Sequence, residues 1–75
     1  MYTPNEADSK KIENNFVYHD PKGDQTARYE IIRSWAKEYA ELLSTLCPAS
    51  RELGLAITNL EQAMFWANSS IARNE

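Results

Sequence analysis

The chain has 75 residues, a formal net charge of −3, one cysteine and one histidine. That length holds one small domain at most, with a modest fraction of its surface to bury. The lone Cys47 rules out an intrachain disulfide and fits a reducing compartment. A pI of about 5.1 argues against a general DNA or RNA binder, which carries a basic face. No apolar run approaches the roughly 20 residues of a membrane span. The opening MYTPNEADSKK lacks the apolar centre of a signal peptide, so the expectation is a cytoplasmic protein.

In chain order, the polar stretch Asn5 to Asn14 is a short helix candidate anchored by Ile12 and ended by Asn14–Asn15; alone it is marginal. Phe16 to Gly23, FVYHDPKG, has no second strand to pair with. Pro21 disfavours helix at Asp20, so the segment reads as an extended arm and a turn. Its large aromatic side chains need something to pack on: the chain's own helices, a neighbouring subunit or a ligand.

Asp24 stands as an N-cap before a long helix, with Pro21 and Gly23 as breakers just upstream. The helix is predicted over Gln25 to Cys47, about 35 Å at the usual rise. Its apolar stripe is Tyr29, Ile32, Ala36, Tyr39, Leu43 and Leu46, with Ile31, Trp35 and Leu42 beside it. Pro48-Ala49-Ser50 interrupts the chain, and Ser50 is a good cap for a second long helix from Arg51 to Arg73. That helix carries the stripe Leu53, Ile57, Leu60, Met64, Ala67 and Ile71, in alternating steps of one helical face. A weaker line is Ala56, Ala63 and Trp66. Gly54 is expected to let the two backbones approach closely. The short connection makes the helices antiparallel neighbours.

The predicted architecture is therefore all-α: one domain over residues 1–75, made of a short N-terminal helix and aromatic arm (1–23), a first long helix (24–47) and a second (50–73). The two main stripes form the seam of an αα-hairpin. Ile31, Trp35, Leu42, Ala56, Ala63, Phe65 and Trp66 are left without an intrachain partner. Burying one large apolar side chain is worth roughly 1.5–3 kcal/mol, so these second faces predict a homo-oligomer.

Catalysis has little support. There is no HExxH, CxxC or Gly-rich phosphate loop. His19 and Cys47 make a poor pair, because Cys47 continues an apolar helix end. One histidine and one thiol are too few for a metal site, and no motif calls for a cofactor. Ligand binding is better supported. Tyr18 and His19 have flat faces that stack on bases. Arg33, on the first long helix and off its stripe, and Lys22, in the turn, can meet a phosphate. Composition alone favours plainer roles, with Tyr18 in a core and Arg33 a solvated helix charge. Arg73 and Asn74 close the second helix, where a cation complements the helix dipole; copies of Arg73 meeting at a symmetry axis would hold phosphate. Asn68, among apolar neighbours, needs a hydrogen-bonding partner if buried.

Several strings are distinctive: Glu13-Asn14-Asn15-Phe16-Val17-Tyr18-His19, Pro21, Tyr29-Glu30, Ile32-Arg33, Cys47-Pro48, Ser50-Arg51-Glu52, Ala56 to Asn68, and Ile71-Ala72-Arg73-Asn74. Together they resemble the small phage anti-CBASS cyclic-oligonucleotide sponges, whose helical hairpin is shared with the anti-Thoeris sponge. The block LEQAMFWANSSIAR is the most specific part, and the aromatic-His arm supports it independently. The resemblance implies a non-catalytic homohexamer in the host cell cytoplasm that sequesters cyclic di- and trinucleotides of bacterial immunity. It implies that cyclic dinucleotides such as 3′,3′-cGAMP sit between protomers, with Tyr18 stacked on a base, Arg33 at a phosphate, and His19 and Lys22 nearby. It also implies a separate cyclic trinucleotide site with Arg73, and more weakly Asn74. The alternative is a small helical adaptor whose hairpin binds another protein's helix.

Overall fold

The computed structural model describes residues 1–75 and contains three helices and no strand: α1 (Glu6–Phe16), α2 (Gln25–Leu46) and α3 (Arg51–Asn74). The chain is all-α, a short helix and arm followed by a long hairpin. α2 and α3 run antiparallel. Gln25 and Arg28 meet Glu75 at the open end, and Ala40 shares a groove with Ile57 towards the closed end. No helix is long and apolar enough to cross a membrane.

Capping explains two of the three helix starts. Asn5 Oδ1 accepts from the Asp8 N–H at 2.8 Å, and Ser50 Oγ accepts from the Leu53 N–H at 3.1 Å. Each satisfies a backbone donor that the first helical turn leaves free. Asp24 occupies the cap position of α2 but makes no such bond. Its carboxylate instead accepts from Arg28 Nε at 3.1 Å, one turn along the helix.

Three sequence expectations are corrected. α1 continues to Phe16 instead of ending at Asn14, so Phe16 is helical and the extended arm begins at Val17. The Asn14 amide, expected to break the helix, donates to the Arg73 carbonyl at 3.2 Å. On α2 and the Cys47 that caps it, the half-buried face is Tyr29, Ile32, Ala36, Ala40, Leu43 and Cys47. Tyr39 faces outwards, and Leu46 is 70 % exposed. The strict alternation of three and four drifts away from a straight helix of 3.6 residues per turn, so Ala40 and Cys47 take the places assigned to Tyr39 and Leu46. On α3 the expected stripe, Leu53 to Ile71, is half-buried throughout. Finally, a Cβ at Gly54 would meet nothing within 4 Å, so no close approach of α2 requires that glycine.

The hairpin is flat, 49 × 38 × 13 Å, with a radius of gyration of 16.7 Å; a compact chain of this length has about 11 Å. It exposes 6315 Å², against about 4,700 Å² for a compact monomer of its mass. No apolar side chain is fully buried. Trp35 is 69 % exposed and Trp66 59 %. Phe65 and Trp66 meet edge to face, with ring centres 5.1 Å apart.

Candidate functional site

The site grows from the turn that joins the arm to α2. Gly23 adopts φ +58°, a left-handed conformation that glycine takes without steric cost. The turn closes when the Gln25 N–H donates to the Lys22 carbonyl at 3.1 Å. It is locked in return when the Lys22 N–H donates to Gln25 Oε1, also at 3.1 Å. Gln25 is 3 % exposed and is the one fully buried residue of the chain. Its Nε2 donates to Glu75 Oε1 at 3.4 Å. Glu75 is gripped by both terminal nitrogens of Arg28, the Nη1 bond measuring 2.8 Å. Such two-pronged pairing is the strong geometry for arginine and carboxylate. It holds the Glu75 carboxyl down at about 2, with the Gln25 hydrogen bond helping and desolvation opposing, and it raises Arg28 further above its ordinary range.

The arm is tied to the end of α3. Besides the Asn14–Arg73 bond, Arg73 Nη2 donates to the Asn15 carbonyl at 3.5 Å. His19 Nε2 lies 2.8 Å from the Asn14 carbonyl; a carbonyl only accepts, so Nε2 carries the proton. These bonds fold the arm over the last turn of α3. They enclose a polar cleft of about 370 Å³ lined by Asn14, Tyr18, His19, Asp20 and Lys22 on one side and Gln25, Ala72, Arg73 and Glu75 on the other.

The structure thus brings Tyr18, His19, Lys22 and Arg73 together in one chain. Tyr18 is 82 % exposed at the rim, so its ring face is free. Arg33 is elsewhere: it borders two grooves along the hairpin, one with Ala40 and Ile57, the other with Tyr29, Phe65 and Asn68. It lies roughly 12 Å along the axis of α2 from Gln25. Asn74 turns back on its own helix, Nδ2 donating to the Ser70 carbonyl at 2.9 Å. Asn68 Oδ1 is buried and has no hydrogen-bond partner. Cys47 sits at the other end of the hairpin from His19, so one chain does not pair them. No group of three His, Cys, Asp or Glu side chains is gathered around a common point.

Sequence reasoning missed Asn14, Gln25 and the Arg28–Glu75 fork. Gln25 had a usable signal, because a glutamine three residues after the group it caps is the spacing of a capping box. Arg28 and Glu75 are 47 positions apart, and no local pattern links them.

Chemically, the cleft offers a free aromatic face, two cations and the flat face of an imidazole whose N–H is held by the Asn14 carbonyl, with one of its two carboxylates neutralised by Arg28. This set suits a ligand that combines flat rings with anionic groups. A family model, the Acb2/Tad1 hairpin domain, matches residues 8–72. No curated protein and no solved structure matches the chain.

Proposed function

The chain belongs to the Acb2/Tad1 hairpin-domain family of anti-CBASS and anti-Thoeris sponges, and from that premise we propose that it sequesters cyclic di- and trinucleotide messengers of CBASS immunity without cleaving them. The family is known for sponge-type anti-defence hairpin domains, and membership points to a non-catalytic binding protein of cyclic nucleotides. The observation that carries the finer reading is the polar cleft in which Tyr18, His19, Lys22 and Arg73 converge. Tyr18 supplies a stacking face, and Lys22 and Arg73 supply charge for phosphodiesters. The protein would meet these messengers in the host cell cytoplasm.

The working unit in this proposal is a homo-oligomer, a homohexamer by family resemblance. Three features support assembly: the excess exposed surface, the outward-facing Trp35 and Trp66, and the unpartnered Asn68 Oδ1. Arg33 is distant from its own chain's cleft, so it would complete the dinucleotide site of another copy. Arg73, with a lesser part for Asn74, would serve the trinucleotide.

Calorimetry with 3′,3′-cGAMP and a cyclic trinucleotide tests the proposal. The wild-type chain should bind both at micromolar concentration and release them intact. Tyr18→Ala and Arg33→Glu should remove dinucleotide binding and leave the oligomer in place, whereas Arg73→Glu should abolish trinucleotide binding and, by reversing a charge in the shared cleft, weaken the dinucleotide as well. No binding to either class contradicts the sponge reading, and recovery of linear product would mark an enzyme.

A further inference from the structure

We propose that Gln25 is a positioning residue: braced by the Arg28–Glu75 fork, its buried amide fixes the Lys22–Gln25 turn and so sets the placement of Lys22 and the Tyr18–His19 arm for an anionic ligand. This rests on the cyclic-nucleotide reading of the cleft.

The argument starts from burial. In a chain with no fully buried apolar side chain, the one residue shut away from solvent is a glutamine. Burying an amide is unfavourable unless its donor and acceptor are both used. Here both are: Oε1 takes the Lys22 N–H at 3.1 Å, and Nε2 gives to Glu75 Oε1 at 3.4 Å. One side chain therefore joins the arm's turn to the last residue of the sequence, just beyond α3. Nothing else secures Lys22 from the α2 side except the backbone bond of the same turn, Gln25 N–H to Lys22 carbonyl.

The fork has a second consequence. Glu75 lines the same cleft as Lys22 and Arg73, and a bare carboxylate there would repel a phosphodiester and draw Lys22 towards itself. Arg28 occupies both oxygens of Glu75 and is itself steadied by Asp24 at 3.1 Å. The carboxylate can then act as the acceptor for Gln25 while contributing little net charge to the cleft. Arg28 and Glu75 belong to the machinery that holds Lys22 in place and need not touch the ligand.

Full-length variants test this with two readouts: the exchange rate of the Lys22 backbone amide by NMR without ligand, and the Kd for 3′,3′-cGAMP. Gln25→Leu removes both hydrogen bonds, and Gln25→Glu keeps the acceptor but sets two carboxylates face to face. Each should weaken binding by roughly tenfold, the scale of one lost buried hydrogen bond, and should speed Lys22 exchange. Adding Glu75→Gln to Gln25→Glu replaces the repulsion with a hydrogen bond from the amide at position 75 while giving up the two-pronged grip of Arg28, so it should recover part of the slow exchange and part of the affinity. A purely structural role would speed exchange throughout the hairpin, whereas a positioning role confines the change to the Lys22 turn and the affinity. Wild-type affinity and exchange in Gln25→Glu, or a double variant that restores neither, would overturn the proposal while leaving the sponge reading intact. A wild-type chain that binds no cyclic nucleotide would overturn both.

Discussion

Gly23 is the residue at which the arm turns into the hairpin. At φ +58° its conformation is open to L side chains only with strain, although a Cβ there would have free space around it. Gly23→Ala should therefore lower stability by about 1–2 kcal/mol through the backbone alone, read by urea denaturation at fixed protein concentration; unchanged stability would contradict the conformation. Glu75 makes a second prediction. Its carboxyl is held at about 2, below an ordinary value of 4.5, chiefly by Arg28. A depressed carboxyl stabilises the fold above its unfolded value, and the contribution is lost as pH falls from about 4.5 through about 2. An NMR titration of the Glu75 carboxyl carbon should show its midpoint near the bottom of that window, and Arg28→Ala should return it to the ordinary carboxylate range. A normal midpoint in the wild-type chain would remove the fork. Tyr18, His19 and Lys22 are singled out by the family resemblance of the arm, since composition alone favours plainer roles, and the structure gathers them with Arg73 around one cleft. Gln25 and Glu75 were harder to see, because their meaning comes from contacts between distant parts of the chain.

The helices themselves were legible from breakers, caps and periodicity. Pro48 and Ser50 place the hairpin bend, and the α3 stripe, which averages the true helical period, selects the half-buried face along its whole length. The α2 stripe was read at a slightly short period, and it failed where the accumulated drift put Tyr39 and Leu46 outside the seam. Ala40, the apolar residue next to Tyr39, falls outside the predicted stripe, and packing against α3 selects it. The caps differ in a way that mutation can read. Ser50→Ala removes a bond to the Leu53 N–H and should cost about 1 kcal/mol. Asp24→Ala removes only a solvent-facing pair with Arg28 and should cost no more than about 1 kcal/mol, with a much smaller loss the norm for such pairs. Parallel urea titrations of the two variants check the order; a larger loss for Asp24→Ala would mean that it caps α2 in solution.

For the molecule as a whole, the central fact is a hairpin with no closed core of its own. Its 6315 Å² of exposed surface and flat outline leave Ile31, Trp35, Leu42 and Trp66 in solvent, and Ile31 and Trp35 line an apolar groove with Tyr39 and Ala63, the kind of surface that marks an interaction site. The proposed hexamer covers these faces and brings Arg33 of one copy towards the cleft of another, joining residues that a single chain keeps apart. The sequence could show that the second faces lacked a partner within the chain; in the proposed assembly the geometry of their pairing would depend on how copies meet, which no local pattern encodes. Native mass spectrometry of the full chain with 3′,3′-cGAMP tests this most directly, because it weighs the assembly and its cargo together. The account predicts a hexamer carrying uncleaved cyclic dinucleotide. A monomer, an assembly that stays empty at micromolar ligand, or a ligand recovered as linear product would contradict it.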